Sequence, residues 1–159
     1  MPQTSPLFDR QHLPSLPRLL LRGLFQAPFS LQRLVLEQTL QRVFKEALRD
    51  GDLDFLKGQH LKIHIIDMDC IWYFSHLWGR IVVSRKAHES VAISGHLKEF
   101  VQLATRCVDP DTLFFQRRLV IEGSTEMGLQ IKNLLDSLDI EELPLPLRKG
   151  IEIASRFVR

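Results

Sequence analysis

Histidines, cysteines and close-set acids are the residues of this chain that could do chemistry. His60 and His64 stand four positions apart and invite a metal site. The segment around them reads as a strand, where four residues span roughly 13 Å, too far for two imidazoles to share one ion. They are expected to be surface or edge histidines. His12, His76, His88 and His96 show no ligand spacing. Asp67 and Asp69 are two apart. Such a pair suits acid–base work or cation binding, but a turn explains it more simply. Cys70 and Cys107 lie among apolar neighbours and are expected to be inert, buried thiols, since nothing nearby would stabilise a thiolate. Gly123-Ser124-Thr125 opens a helix and either holds an anion or caps that helix. No Gly-rich phosphate loop or nucleophile elbow occurs. No catalytic or metal-binding constellation emerges, and no cofactor is implied.

Composition narrows the class. The 159 residues suit one domain with an appended arm. Hydrophobic residues make up 45% and charged residues 25%, as in a soluble globular protein. The 21 Lys and Arg against 19 Asp and Glu are too balanced for a nucleic-acid binder. Two cysteines cannot build a disulfide scaffold and point to a reducing compartment. No apolar run approaches the roughly 20 residues that span a bilayer, and no secretory signal is read, so a cytoplasmic location is expected.

These side chains must be positioned by a small set of elements. Five of the eight prolines fall in residues 1–29, which read as a separate arm. Within it, Arg18 and Arg22 flank three leucines, with Leu20, Leu24 and Phe25 on a helix opened by Pro17. This arm either packs on the domain or forms a basic amphipathic segment that touches an anionic membrane. Residues 30–159 form the domain. Ser30 is expected to cap a helix over 31–49, with Leu36, Leu40, Val43, Phe44 and Ala47 on one face. Strands follow at 61–66, 70–75, 81–84 and 90–94, and their short connections imply an antiparallel meander. Leu97, Phe100, Val101, Ala104 and Cys107 share a helical face that ends at Asp109-Pro110-Asp111. A fifth strand is expected over 118–122, then a helix from Met127 to Leu138 and a last one over 145–158. The order predicts an α+β domain, a largely antiparallel five-stranded sheet with helices stacked on one face.

The unusual feature is apolar surplus. Trp72, Phe74, Trp78, Phe100, Phe114 and Phe115 join a strand carrying Leu119 and Ile121 and a helix face of Met127, Ile131, Leu134 and Leu138. A one-sided sheet needs only part of this for its core, and the rest can line an apolar pocket.

The run from Asp109 to Leu129 (Asp-Pro-Asp-Thr-Leu-Phe-Phe-Gln-Arg-Arg-Leu-Val-Ile-Glu-Gly-Ser-Thr-Glu-Met-Gly-Leu) resembles a segment of the sterol carrier protein family. There an apolar loop leads into a Leu-x-Ile-x-Gly strand and then a helix beside a lipid tunnel. More narrowly, Phe114 to Gly123 is similar to the bacterial accessory factors of ubiquinone biosynthesis within that family. The likeness spans about residues 30–145 of the chain. It implies an apolar tunnel between sheet and helices, and a non-catalytic lipid-binding protein that holds ubiquinone or its polyprenylated precursors. It further implies the oxygen-independent route, two iron–sulfur partner proteins of peptidase-like fold that introduce ring hydroxyls, and peripheral contact with the inner membrane. Arg117 and Arg118, read on opposite sides of a strand, either meet a headgroup or line a solvated edge. Two other readings stay open: a general phospholipid or fatty-acyl carrier of the same fold, and a small enzyme using Asp67 or Asp69.

Overall fold

The computed structural model describes residues 22–23, 25–138 and 140–158. The first helix, α1, runs Phe29–Val43. It starts one residue before Ser30, because Pro28 supplies the flanking carbonyl that accepts from Leu31 and Gln32 N–H at 3.0 and 3.1 Å. Leu36, Leu40 and Val43 pack half-buried against the core, as the 3.6-residue period requires. The single helix expected over 31–49 is broken at Phe44, whose backbone leaves the helical region as its ring turns inward to 8% exposure. The short helix α2 (Lys45–Asp50) follows and stops at Gly51 in the left-handed conformation.

Five strands make one sheet in the order β3-β2-β1-β4-β5. β1 (Leu61–Ile65), β2 (Cys70–Leu77) and β3 (Arg80–Ser84) are an antiparallel meander. β4 (Val91–Gly95) does not continue it. It crosses to the far side of β1 and pairs there in parallel, Leu61 opposite Val91 and Ile63 opposite Ile93. The expected four-strand meander is corrected to three strands plus a crossover, and the sheet is mixed. The physical reason lies on β3. Its outer edge is taken by α1, whose Gln41 amide donates to Ile81 O at 3.2 Å and whose Glu37 accepts from Val83 N–H at 3.0 Å. Pairing with β1 instead puts Val91 and Ile93 mid-sheet, at 0% and 1% exposure. β5 (Val120–Gly123) pairs antiparallel with β4 and is the other edge. It starts two residues later than expected, because Arg117 adopts a left-handed backbone and the N–H groups of Arg118 and Leu119 both donate to Leu113 O.

Side chains on one face of the sheet, among them Cys70, Trp72, Phe74, Val83, Val91 and Ile93, meet Leu40, Phe44, Leu103, Leu113, Met127 and Ile131 from the helices in a single apolar cluster. The opposite face, carrying Lys62, His64, Tyr73, Ser75 and Ser94, stays partly exposed. The period-2 alternation thus gives the helices one side to cover. Of these, α3 (Leu97–Thr105) is capped from another element: Asp67 Oδ1 accepts from Leu97 N–H at 2.8 Å. Phe114 and Phe115 lie on a short helix, α4 (Pro110–Phe115), with Asp109 accepting from Thr112 N–H. α5 (Thr125–Asp136) follows β5 directly, capped by Ser124, and α6 (Leu145–Val158) lies on α3.

Candidate lipid-binding groove

β5 and α5 lie side by side with almost no turn between them. Ser124 Oγ accepts from Met127 N–H at 3.4 Å, so the Gly123-Ser124-Thr125 junction serves as a helix cap. Two glycines let neighbouring side chains pack close to the backbone here. A Cβ on Gly95 would come within 2.6 Å of Leu119 Cδ2, and one on Gly128 would come within 3.2 Å of Ile121 Cγ2. The helix therefore rests on the strand, and a groove of about 610 Å³ opens along the sheet edge. Phe114, Leu119, Val120, Ile121, Gly128 and Leu129 form its apolar wall, while Arg117, Glu122 and Lys132 edge it. A second hollow of about 720 Å³ adjoins it, sharing Phe114 and Lys132 and adding Phe115. Both fall in the size range of small-ligand pockets. Lys132 pairs with Asp111 across α4 and α5, which fixes that end.

The twelve side chains expected as lipid-contacting separate into groups. Phe114, Leu119 and Ile121 line the groove. Trp72, Phe74, Met127 and Ile131 lie in the core, at 9% exposure or less. Phe100, Leu134 and Leu138 pack half-buried against the same cluster. Leu134 also borders a separate hollow of about 430 Å³ with Gly51, Asp52, Gln130, Asn133 and Ser137. Phe115 is 91% exposed at the rim of the second hollow. Trp78, also 91% exposed, stands apart on the turn between β2 and β3.

Of the arm residues, Arg18, Leu20 and Leu24 lie outside the described residues. Arg22 is exposed. Phe25 is half-buried against Trp72, with ring centroids 5.8 Å apart. Gln32 ties this contact down. Its amide donates to Phe25 O at 2.7 Å and Ala27 O at 3.0 Å, and its Oε1 accepts from Trp72 Nε1–H at 3.0 Å.

The other singled-out residues have local structural tasks. Asp67 caps α3, and Asp69 turns the chain in the left-handed region. Cys70 is buried, and desolvation, aided by the Asp69 charge, pushes its thiol up to about 11, so it stays protonated at neutral pH. Cys107 is exposed, contrary to expectation. It follows Arg106, whose left-handed backbone ends α3 before the apolar face reaches it. Arg117 borders the groove. Arg118 turns the other way, to Gln102 and to Glu99 at 3.5 Å, so the pair does not straddle a strand as expected. His64 sits on the open face of β1, and His76 is buried with Nδ1 3.2 Å from Leu53 O. Among the described residues no three or more His, Cys, Asp or Glu side chains gather closely enough to hold a metal ion. Sequence reasoning missed Gln32, Glu99 and His76, because each is paired with a residue 19 or more positions away.

Comparison with known proteins defines the class. The profile of the SCP-2 sterol transfer family matches residues 36–136, and the chain belongs to that family. The particular likeness is narrower. The chain is 48% identical over 131 residues to the ubiquinone biosynthesis accessory factor UbiT of Escherichia coli K12, covering 82% of this chain and 75% of that protein. The same figures hold for UbiT of Escherichia coli O157:H7. Among solved structures, one titled a UbiJ-SCP2 ubiquinone synthesis protein superposes with a TM-score of 0.55 at 14% identity, over 69% of this chain and 97% of that one. That likeness is one of fold.

Proposed function

We propose that this protein is a non-catalytic lipid-binding accessory factor of ubiquinone biosynthesis. It holds ubiquinone or a polyprenylated precursor while iron–sulfur partner proteins hydroxylate the ring, in the oxygen-independent route. The observation that carries this reading is the 48% identity to UbiT across most of the chain. The groove supplies the physical means. Each methylene-sized unit moved from water to an apolar wall gains about 0.8 kcal/mol, so even a partly housed polyprenyl tail is held firmly. Phe114, Val120, Ile121 and Leu129 take the tail, and Arg117 faces the polar head. The family resemblance implies that such a groove continues inward as an apolar tunnel.

Lipid extraction and native mass spectrometry of the purified protein test this. Ubiquinone or a polyprenylated aromatic precursor is the expected co-purifying species. Phospholipid or fatty acid alone would favour a general carrier of the same fold, and no bound lipid would remove the reading.

The domain division belongs to the same proposal: residues 30–159 bind lipid, and residues 1–29 are an arm that reaches an anionic membrane surface from the cytoplasm. Among the described residues no helix is long and apolar enough to cross a membrane. Because Phe25 packs on Trp72, a clean truncation removes only residues 1–21. It is expected to keep the fold and to weaken co-sedimentation with anionic vesicles at low salt. Each basic residue near such a surface contributes about 1 kcal/mol, so the effect fades as salt rises. Equal co-sedimentation of both forms would make the arm a packing element.

A further inference from the structure

The turn between β2 and β3 places a tryptophan where the backbone disfavours one. Trp78 has φ 49° and Gly79 has φ 72°, the paired positive angles of a two-residue hairpin turn. Asn, Asp and Gly fill the first such position readily, while a bulky residue there is strained. Packing does not explain the choice, since Trp78 is 91% exposed and its neighbour Leu77 is 49% exposed. Local strain held without local compensation marks a site with a task.

The shape of the tip limits what that task is. Two apolar side chains project from a convex turn flanked by Ser75, Gly79 and the exposed Arg80. A stable protein interface buries roughly 800 Å² on each partner around an apolar centre, and a two-residue tip has no such area. An indole in the interfacial zone of a bilayer needs no shaped counterpart: its ring lies among the upper acyl carbons and its N–H among the headgroups. The charge around the tip is mixed. Lys57, beside His76, is paired with Asp54 at 2.9 Å, which leaves Arg80. The contact therefore rests on Trp78 and Leu77 and not on lipid charge.

Position in the sheet supplies the rest. Gly123 pairs with Val91, Val91 with Leu61, and Leu61 with Phe74. The chain goes on from Phe74 to Trp78, so the turn projects from the same end of the sheet as the Gly123-Ser124-Thr125 end of the groove. The Phe25 contact is with Trp72, about 20 Å back along β2.

We infer that the Leu77–Gly79 turn is a membrane-docking tip, seated in the headgroup zone of a phospholipid bilayer so that the Gly123–Thr125 end of the groove faces the lipid. The orientation part of this inference rests on the groove being the lipid site; the docking itself does not.

The chain has two tryptophans, which makes the test direct. In full-length Trp72→Phe protein, shown folded by circular dichroism, Trp78 is the sole indole. Phosphatidylcholine vesicles are expected to shift its emission to the blue, and vesicles of brominated phosphatidylcholine to quench it, at low and high salt alike. Trp78→Asn suits the turn better than the native residue. It is expected to leave the melting temperature unchanged or higher while lowering vesicle partitioning roughly tenfold. Unshifted, unquenched Trp78 emission overturns the inference, as does unchanged partitioning of Trp78→Asn. A shift produced only by an added protein overturns it too. Lipid extraction separates the two proposals: bound quinone with a silent Trp78 removes the docking tip alone, and a docked Trp78 with no extractable lipid removes the carrier reading alone.

Discussion

Replacing Gly123 with alanine is expected to destabilise the fold by at least about 3 kcal/mol, read as a lowered midpoint in urea unfolding. Gly123 closes β5 opposite Val91, with φ +110°, outside the range an L side chain adopts without strain. A Cβ there would stand 2.4 Å from Ser90 O and 3.0 Å from Val91 Cα. Both obstacles are backbone, so no rotamer change relieves the clash, and β5 must separate from β4. The same Ser90 carbonyl accepts from Ser124 N–H at 3.2 Å, and Ser124 caps α5. Shifting the strand therefore loosens the helix beside it and opens the groove. Gly79→Ala is the comparison. It carries positive φ as well, at +72°, but nothing lies within 4 Å of its would-be Cβ, so the cost is expected to be only about 1 kcal/mol. Equal losses at the two positions would show that the close approach of Ser90 to Gly123 contributes nothing.

That contrast marks what the sequence reveals and what it hides. Both glycines are visible in it, but the nearness of Ser90 depends on β4 lying between β1 and β5. Strand and helix positions were readable because their signals are local: the alternation in Cys70–Leu77 and the spacing of Met127, Ile131 and Leu134 need only near neighbours. The crossover of β4 was not readable, because it is decided by Gln41 and Glu37 of α1 occupying the edge of β3. The break at Phe44 was missed for a similar reason, since its ring turns inward for the core and the helical pattern alone does not reveal this. The candidate site shows the same division. Phe114, Leu119 and Ile121 were readable as apolar residues of one run that meet at the groove. Val120 and Leu129 were not singled out, because strand alternation and helical spacing put them on the outward faces. They line the groove only because it runs along an open sheet edge, where outward side chains of strand and helix converge.

Two residues of α5 turn this geometry into opposite expectations. Ile131 is 1% exposed, in the core between helix and sheet, whereas Leu129 is 60% exposed on the groove wall. Ile131→Asp puts a carboxylate where nothing pairs with it. It is expected to destabilise by at least about 4 kcal/mol at neutral pH, enough to unfold a marginal domain. Burial raises that carboxyl's pKa in the folded state above its unfolded value of about 3.9. The charge penalty is thus absent below that unfolded value and grows to its full size as pH rises through the folded one. Stability of this variant relative to the native chain should accordingly improve on acidification, as followed by circular dichroism. Lost lipid in Ile131→Asp would say nothing about the groove, because the fold goes with it. Leu129→Asp changes an exposed position and is expected to hold stability within about 0.5 kcal/mol. It also sets a charge against the path of the polyprenyl tail. The expected result is a folded protein with native melting behaviour and sharply reduced co-purified lipid. Native-level lipid in folded Leu129→Asp protein would move the binding site away from β5 and α5, toward the interior between the sheet and its helices.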